Sequence, residues 1–357
     1  MKVLGLASSQ QSGVAYHRIV MPLAYMNGIK GQVVNWITEE YSPGPFDIVM
    51  YNRLCPYDKH WPETLEVLGN PKLVFDIDDY WRLPVNHLNY NHYQQHGEQI
   101  EENIRRADLV TVTNEVLANK VIPFNKNVVV IPNALPFGLT QFTEERKPSD
   151  KVRIFWAGGI THQHDIAILS GPVKKLSIHA DKIKMILGGW TDAVATIEKY
   201  KKDEATFDEM SGALHTEQIW VKMFNSFTAG GKLPWARIHS LKPTEYMQMY
   251  EHADIMLIPL ENSVWHSCKS NLKILEAASK KIPCIVSNVA PYNLDSDCPV
   301  RWVNTQKDWF YYLNELILNP EAREEEGQKL YEWAKEKYSI ERINEQRFAA
   351  FADLCKV

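Results

Sequence analysis

Crosslinking residues, long apolar runs and excess positive charge are all scarce in this sequence. Cysteine occurs five times in 357 residues, as Cys55, Cys268, Cys284, Cys298 and Cys355. The five are widely spaced, odd in number and form no CxxC pair, which argues against a disulfide framework or a zinc site and suits a reducing compartment. No run of about 18 apolar residues occurs, so no membrane-spanning helix is expected. The apolar run Val3 to Ala7 is too short for a signal-peptide core. A cytoplasmic protein, at most peripheral to a membrane, is the expectation. Lys and Arg number 39 against 44 Asp and Glu, a net charge of −5, so bulk charge does not suit the chain to coating nucleic acid. No short-period repeat or low-complexity tract is present.

What is present is the composition of a globular protein, 45% hydrophobic and 23% charged. Its length exceeds what one core usually serves, so two domains are expected. Met1 to Ala7 is an apolar run that breaks into SSQQSG and then into AYHRIVMPLAYMNGIK, which has helical spacing and stops at Asn27-Gly28. A buried strand, a small-residue loop and a helix make a first βα unit, and a parallel sheet follows from it. QVVNWI, FDIVMYN, KLVFDIDD, ADLVTV and NVVVIP continue the series. Ligands of such sheets lie at the carboxyl ends of strands, which places Gly13, His17 and Arg18 at a crevice. Asp76, Asp78 and Asp79 cluster at another strand end, where crowded carboxylates hold a metal, orient an acceptor hydroxyl or cap the next segment. Tyr80 to His96, dense in Asn, His, Tyr and Gln, reads as a loop.

The stretch TEERKPSDK before and including Lys151 reads as a linker. Beyond it VRIFWAGG, KIKMILGG, ARIHSL, DIMLIPL, PCIVSN and RWVN form a second α/β series. Gly158-Gly159 and Gly188-Gly189 end its first two strands, where glycine lets a ligand approach the backbone or simply makes a turn. Residues 191–234 are too long for an ordinary connection and read as an inserted helical pair. After Asn304 the pattern is helical throughout, and the charged run EAREEEGQK is a solvated face or a helix junction. The expected division is 1–145 for an acceptor-side domain, with 340–357 packing back on it, and 150–335 for a donor domain.

The densest constellation lies in ENSVWHSCKSNLKILEAAS, Glu261 to Ser279. At about 100° per residue, Lys269, Lys273 and Glu276 fall within roughly 60° on one helical face, opposite Leu272, Ile274, Leu275 and Ala278. Two ammonium groups at a helix N-terminus suit a phosphate or diphosphate. Glu276, one turn deeper, suits a neutral diol such as a ribose. The bland alternative is a solvated face with a Lys-to-Glu pair of a few tenths of a kcal/mol.

The loop SGVAYHR, then VVVIPNAL, IFWAGGITHQHD, YEHADIMLIPL and NSVWHSCKSNLKILEAASKKIPCIVSN together resemble the GT-B glycosyltransferases, and within them the family 4 group of retaining, sugar-nucleotide-dependent enzymes. The resemblance spans nearly the whole chain and implies two Rossmann-like domains facing across a cleft. It implies a UDP- or GDP-sugar donor bound by Gly158, Gly159, His162, Lys269, Ser270, Asn271, Lys273 and Glu276. On the acceptor side the strand-end positions make Asp78, Asp79 and His17 the catalytic candidates, with Gly13, Arg18 and Asn133 in the cleft. Family 4 sequences carry two glutamates separated by seven residues; Glu276 matches the second, but Cys268 stands in place of the first. The family's diphosphate-binding Arg and Lys are likewise replaced, by His162, His164 and Asp165, which transfers phosphate contacts to Lys269, Lys273, the helix end and His162. Those lysines make a cofactor unnecessary, with Mg2+ on the acidic cluster as the open alternative. A similar branch of phage and bacterial sequences shows DIDD-like and KSxLK-like segments. The acceptor is then a glycan or surface polysaccharide hydroxyl, with a hydroxymethylated base in DNA as the runner-up. A non-catalytic sugar-nucleotide or glycan binder is the reading from another class.

Overall fold

A computed structural model describes residues 1–7, 12–35, 44–53, 61–202 and 204–356. Short, wholly apolar runs such as Ile255–Ile258 bury both faces, as strands of a parallel sheet covered by helices on either side must. The first sheet holds β1 (Lys2–Ala7), β2 (Lys30–Asn35), β3 (Ile48–Asn52), β4 (Lys72–Ile77), β5 (Leu109–Val112) and β6 (Val128–Val130) in the order β2-β1-β3-β4-β5-β6. The second holds β7 (Val152–Ala157), β8 (Ile183–Trp190), β9 (Trp235–His239), β10 (Ile255–Ile258), β11 (Cys284–Ser287) and β12 (Arg301–Val303) in the order β12-β11-β10-β7-β8-β9. Neighbouring strands pair in parallel throughout both sheets. Strand order reverses between β1 and β3 and again between β7 and β10, and the crevice outside such a switch point is where ligands bind.

The QVVNWI strand is observed from Lys30 to Asn35; Trp36 and Ile37 lie outside the described residues, as do Ser8 to Gln11 of the first loop. The segment expected to be a loop from Tyr80 to His96 is corrected in part, since a helix runs Tyr90–Arg106. Its support lies further on, where Glu101 and Glu102 pair with Arg105 and Arg106 at three- and four-residue spacing.

Residues 191–234 contribute two helices, Val194–Lys201 and Phe207–Phe227, the second opened by a Thr206–Glu209 capping box. Ile219, Trp220, Met223 and Phe227 bury one side of it against Ile154, Trp156 and Leu187 of the second sheet. The linker is not free: the Lys147 N–H donates to the Glu251 carbonyl at 2.8 Å. The EAREEEGQK run lies within the helix Pro320–Tyr338. There Gly327 sits so close to the Lys281 carbonyl that an added Cβ would come within 2.1 Å of its oxygen. The last helix, Ile340–Cys355, returns to the first sheet, where Phe351 is buried among Val3, Ile19 and Val74 and the Asn344 amide donates to the Pro22 carbonyl.

Candidate active site

A cavity of about 680 Å3 opens between the two switch points and is walled by both halves of the molecule. From the first sheet come Gly13, Val14, His17, Arg18, Asp78, Asp79 and Asn133; from the second come Gly158, Gly159, His162, Lys269, Ser270, Lys273 and Glu276. Residues 13–25 enter it as a helix whose Ser12 cap accepts from the Ala15 N–H and whose middle, Tyr16–Val20, widens into a π-turn. Such bulges turn side chains out of the regular helical register. His17 is buried on that turn, its Nδ1 without a hydrogen-bond partner among the described residues and its Nε2 3.9 Å from Glu276 Oε1. Burial, and then the Arg18 charge, lower its pKa to about 4, so the ring is neutral at pH 7.

Arg18 lines the cleft as expected, and it is also the buried half of a structural ion pair. Its guanidinium is fully buried, doubly bonded to Asp76 at 2.8 to 3.2 Å and donating to Asn133 Oδ1 at 3.0 Å. Asp76 also accepts from Thr111 Oγ1, so it belongs to this core pair and not to an acidic site. Asp78 and Asp79 do reach the cavity, but Arg53 bridges them, with Asp78 at 2.7 Å and Asp79 at 3.1 Å, and Lys269 lies 3.3 Å from Asp79. Three carboxylates already matched by Arg18, Arg53 and Lys269 make a poor cage for Mg2+, which needs oxygen ligands free to close around it. Burial raises Asp78, whereas at Asp79 the Lys269 and Arg53 charges overcome burial and lower the pKa.

The shared helical face is also corrected. The helix runs Leu272–Ser279, and Lys269 and Ser270 lie in the bend that follows the short turn Val264–Ser267. Asn114 holds that bend by donating to the Ser267 and Lys269 carbonyls, at 3.2 and 2.6 Å. Asn133 Nδ2 donates to Ser270 Oγ at 2.9 Å, and Cys268 is buried among Phe75, Trp81 and Leu117 of the first sheet's core. The bend therefore joins the two halves. Asn271, expected in the donor site, precedes the Leu272–Ser279 helix and is not among the residues that line the cavity.

Lys273 does lie on the helix, with Nζ donating to the Ala157 carbonyl at 2.8 Å and standing 5.9 Å from the Trp156 ring centre; burial lowers its pKa. Glu276, 4% exposed, accepts from the Tyr250 hydroxyl at 2.6 Å, and burial raises its pKa to about 7 against that bond and Lys273. Gly189 has φ +93°, and a Cβ there would lie 2.4 Å from the Gly158 carbonyl oxygen, so one glycine of the second pair serves backbone packing. Gly159 faces open space. His162 Nδ1 is 2.7 Å from Asp165 Oδ2, and its pKa falls to about 4, chiefly through burial. It adds no positive charge to the site.

Arg53, Asn114 and Tyr250 carry no role in the sequence pattern, although Arg53 ends FDIVMYNR at the carboxyl edge of a strand, a position that marks it; Asp165 stands in the pattern only as a replacement for the family's Arg and Lys. The inserted helices reach the cleft itself: Thr216 and Trp220 line the cavity beside Thr191, and Trp220 Nε1 donates to Thr191 Oγ1 at 2.8 Å.

Two parallel six-stranded α/β sheets facing across such a cleft constitute the GT-B fold. Sucrose-phosphate synthase of Thermosynechococcus elongatus aligns over 99% of both chains with a TM-score of 0.68 at 12% identity. HepE of Anabaena, solved with UDP, aligns over 99% of this chain and 100% of its own with a TM-score of 0.62 at 12% identity. TarM gives a TM-score of 0.54 at 15% identity over 85% of this chain, which spans about half, 54%, of TarM's length. No protein-family model matches the sequence, and no curated protein matches it. Among the described residues no helix is long and apolar enough to cross a membrane.

Proposed function

We propose that this chain is a glycosyltransferase that moves a sugar from a nucleotide-sugar to an acceptor hydroxyl, with the donor on the second sheet and the acceptor over the first. The observation that carries the reading is the cavity itself: a polar cleft at two facing switch points, with Lys269, Lys273 and the Leu272–Ser279 N-terminus converging on one side and Asp78 and Asp79 on the other. Cations and a helix end stabilise the charge that builds on a departing diphosphate. Structural neighbours solved with UDP and with UDP-glucose support a uridine nucleotide as the first donor to test. Glu276 is the group for the ribose hydroxyls, which would replace the Tyr250 hydroxyl or share the carboxylate with it.

Retention of the sugar's configuration follows from the same reading. Neither His17, whose Nδ1 has no carboxylate behind it among the described residues, nor Asp79, held ionised by two cations, is built as a strong base, so departing phosphate oxygen takes the acceptor proton on the donor's front face. A glycan hydroxyl is the acceptor class. Calorimetry with UDP, GDP and ADP, followed by donor hydrolysis without acceptor, tests the proposal: a wild-type protein that binds none of the three is not a glycosyltransferase of this kind, and binding without any turnover makes it a sugar-nucleotide binder.

A further inference from the structure

The replacement of the expected Arg and Lys by histidine and aspartate after β7 has a chemistry of its own. Asp165 is 1% exposed yet sits at the centre of three N–H groups. Its Oδ1 accepts from the Glu261 N–H at 2.8 Å and faces His266 Nε2 at 3.4 Å, while Oδ2 faces His162 Nδ1 at 2.7 Å. Ser263 holds the second imidazole: its Oγ accepts from the His266 N–H at 3.2 Å and lies 2.9 Å from His266 Nδ1. An ionised Asp165 beside His266 Nε2 favours the proton on that nitrogen, which leaves Nδ1 to accept from the Ser263 hydroxyl. Burial pushes the Asp165 pKa up, but hydrogen bonds from His162 and His266 outweigh it and hold the group well below the usual carboxylate range. An ionised carboxylate 2.7 Å away requires the proton of His162 to reside on Nδ1.

His162 is neutral at pH 7, because burial and the Lys273 and Lys269 charges prevail over Asp165. With one proton on the ring, and that proton turned inward, Nε2 is a bare lone pair on a ring that lines the cavity. A bare nitrogen accepts a hydrogen bond; against a phosphate oxygen it sets lone pair against lone pair. His162 lines the same cavity as Lys269, Lys273 and Asp79, which in the donor site proposed above puts it where the diphosphate meets the transferred group. Asp165, Glu261 and His266 also have ligand atoms within 4.8 Å of one another, but both Asp165 oxygens are taken by N–H donors, so the network closes without a cation.

The geometry points to His162 as a specificity residue that accepts a hydrogen bond from a hydroxyl of the donor's sugar, with Asp165 as the positioning residue that keeps Nε2 bare. The inference rests on the donor site proposed above and replaces His162's expected contact with phosphate by one with the sugar.

Calorimetry with UDP, GDP and ADP on the wild type comes first and identifies the base; no binding by any of them refutes the donor site itself. For the nucleotide that binds, His162→Ala is expected to leave nucleoside diphosphate affinity within about threefold while abolishing the added affinity of the matching glucose or galactose nucleotide. His162→Gln, whose amide oxygen reaches the Nε2 position, is expected to restore part of that increment. A loss of tenfold or more for the bare nucleoside diphosphate in His162→Ala makes the contact a phosphate contact and overturns the proposal, as does a sugar increment that survives the substitution. The tautomer is read independently from 15N spectra of the wild type at pH 7, where the Nδ1–H form is expected and an Nε2–H or doubly protonated ring refutes it. In Asp165→Asn the Nε2–H form is expected to appear and the sugar increment to fall with it; a tautomer unmoved by that change removes Asp165 from the positioning role.

Discussion

Lys273→Met separates the donor site from the scaffold because its two consequences have different signs. Methionine keeps an unbranched stem against Trp156 and removes only the ammonium group. In the free protein Nζ has one protein acceptor, the Ala157 carbonyl at 2.8 Å, and no carboxylate within ion-pair distance among the described residues. Burial lowers its pKa, which means that folding costs the charged form energy. The substitution removes one hydrogen bond of about 1 kcal/mol and relieves that desolvation, so the thermal midpoint should stay level or rise. The sign with pH follows. The unfolded lysine binds its proton more tightly than the folded one, so wild-type stability climbs relative to the variant as pH approaches the unfolded value of 10.5. With a nucleoside diphosphate bound, the ammonium gains a phosphate partner, a charge-assisted contact worth about 1.5–3 kcal/mol. At about 1.4 kcal/mol per tenfold, affinity should fall by about 10- to 150-fold. Differential scanning calorimetry of the free protein and isothermal titration with UDP and GDP give the two numbers. Unchanged nucleotide affinity together with a clear loss of stability would make Lys273 a scaffold residue and refute the assignment.

Glu276→Gln mimics the protonated carboxyl. The wild-type pKa, raised from 4.5 to about 7, gives the folded state a stabilising proton that is fully held below 4.5 and lost as pH rises through 7. Relative to wild type the variant should therefore gain stability over that window, by roughly 3 kcal/mol at most, and urea melts at pH 5 and 8 check it. Arg18→Ala leaves Asp76 buried with Thr111 as its remaining donor and should cost about 3–5 kcal/mol, with Arg18→Ala/Asp76→Leu recovering part of it; an unchanged urea midpoint in the single variant would remove the structural role assigned to the pair. Phe351→Ala should cost about 3–5 kcal/mol and raise amide exchange in β1 and β3 before β7 and β10, because the side chain is buried with Val3 and Ile48.

The two sheets are legible because a strand buried on both faces must be written largely in apolar residues, as in Ile255–Ile258 and in the LVF centre of Lys72–Ile77. Lys273 and Glu276 were legible for a similar reason, since a period of 3.6 relates residues on one helix. The same projection failed at Lys269, because periodicity carries no mark of where a helix begins. What ends the helix is tertiary: Asn114, 155 residues earlier, takes the Lys269 carbonyl and bends the chain away from helical geometry.

Partners across strands were the least legible. Asn52 pairs with Asp76 in the register of β3 and β4, which brings the following Arg53 beside Asp78 and Asp79. No local rule connects residues 25 and 26 positions apart, so a cluster of aspartates looked like a metal or base site when it was half of an ion-pair network. Composition can name the charges at a strand end, but it takes the register of the neighbouring strand to say which of them remain free. At this cleft the register leaves few. Asp76 is consumed by Arg18, and Asp78 and Asp79 share Arg53. Lys269 is drawn to Asp79 from the opposite half, so an anionic donor must compete with that carboxylate for the lysine.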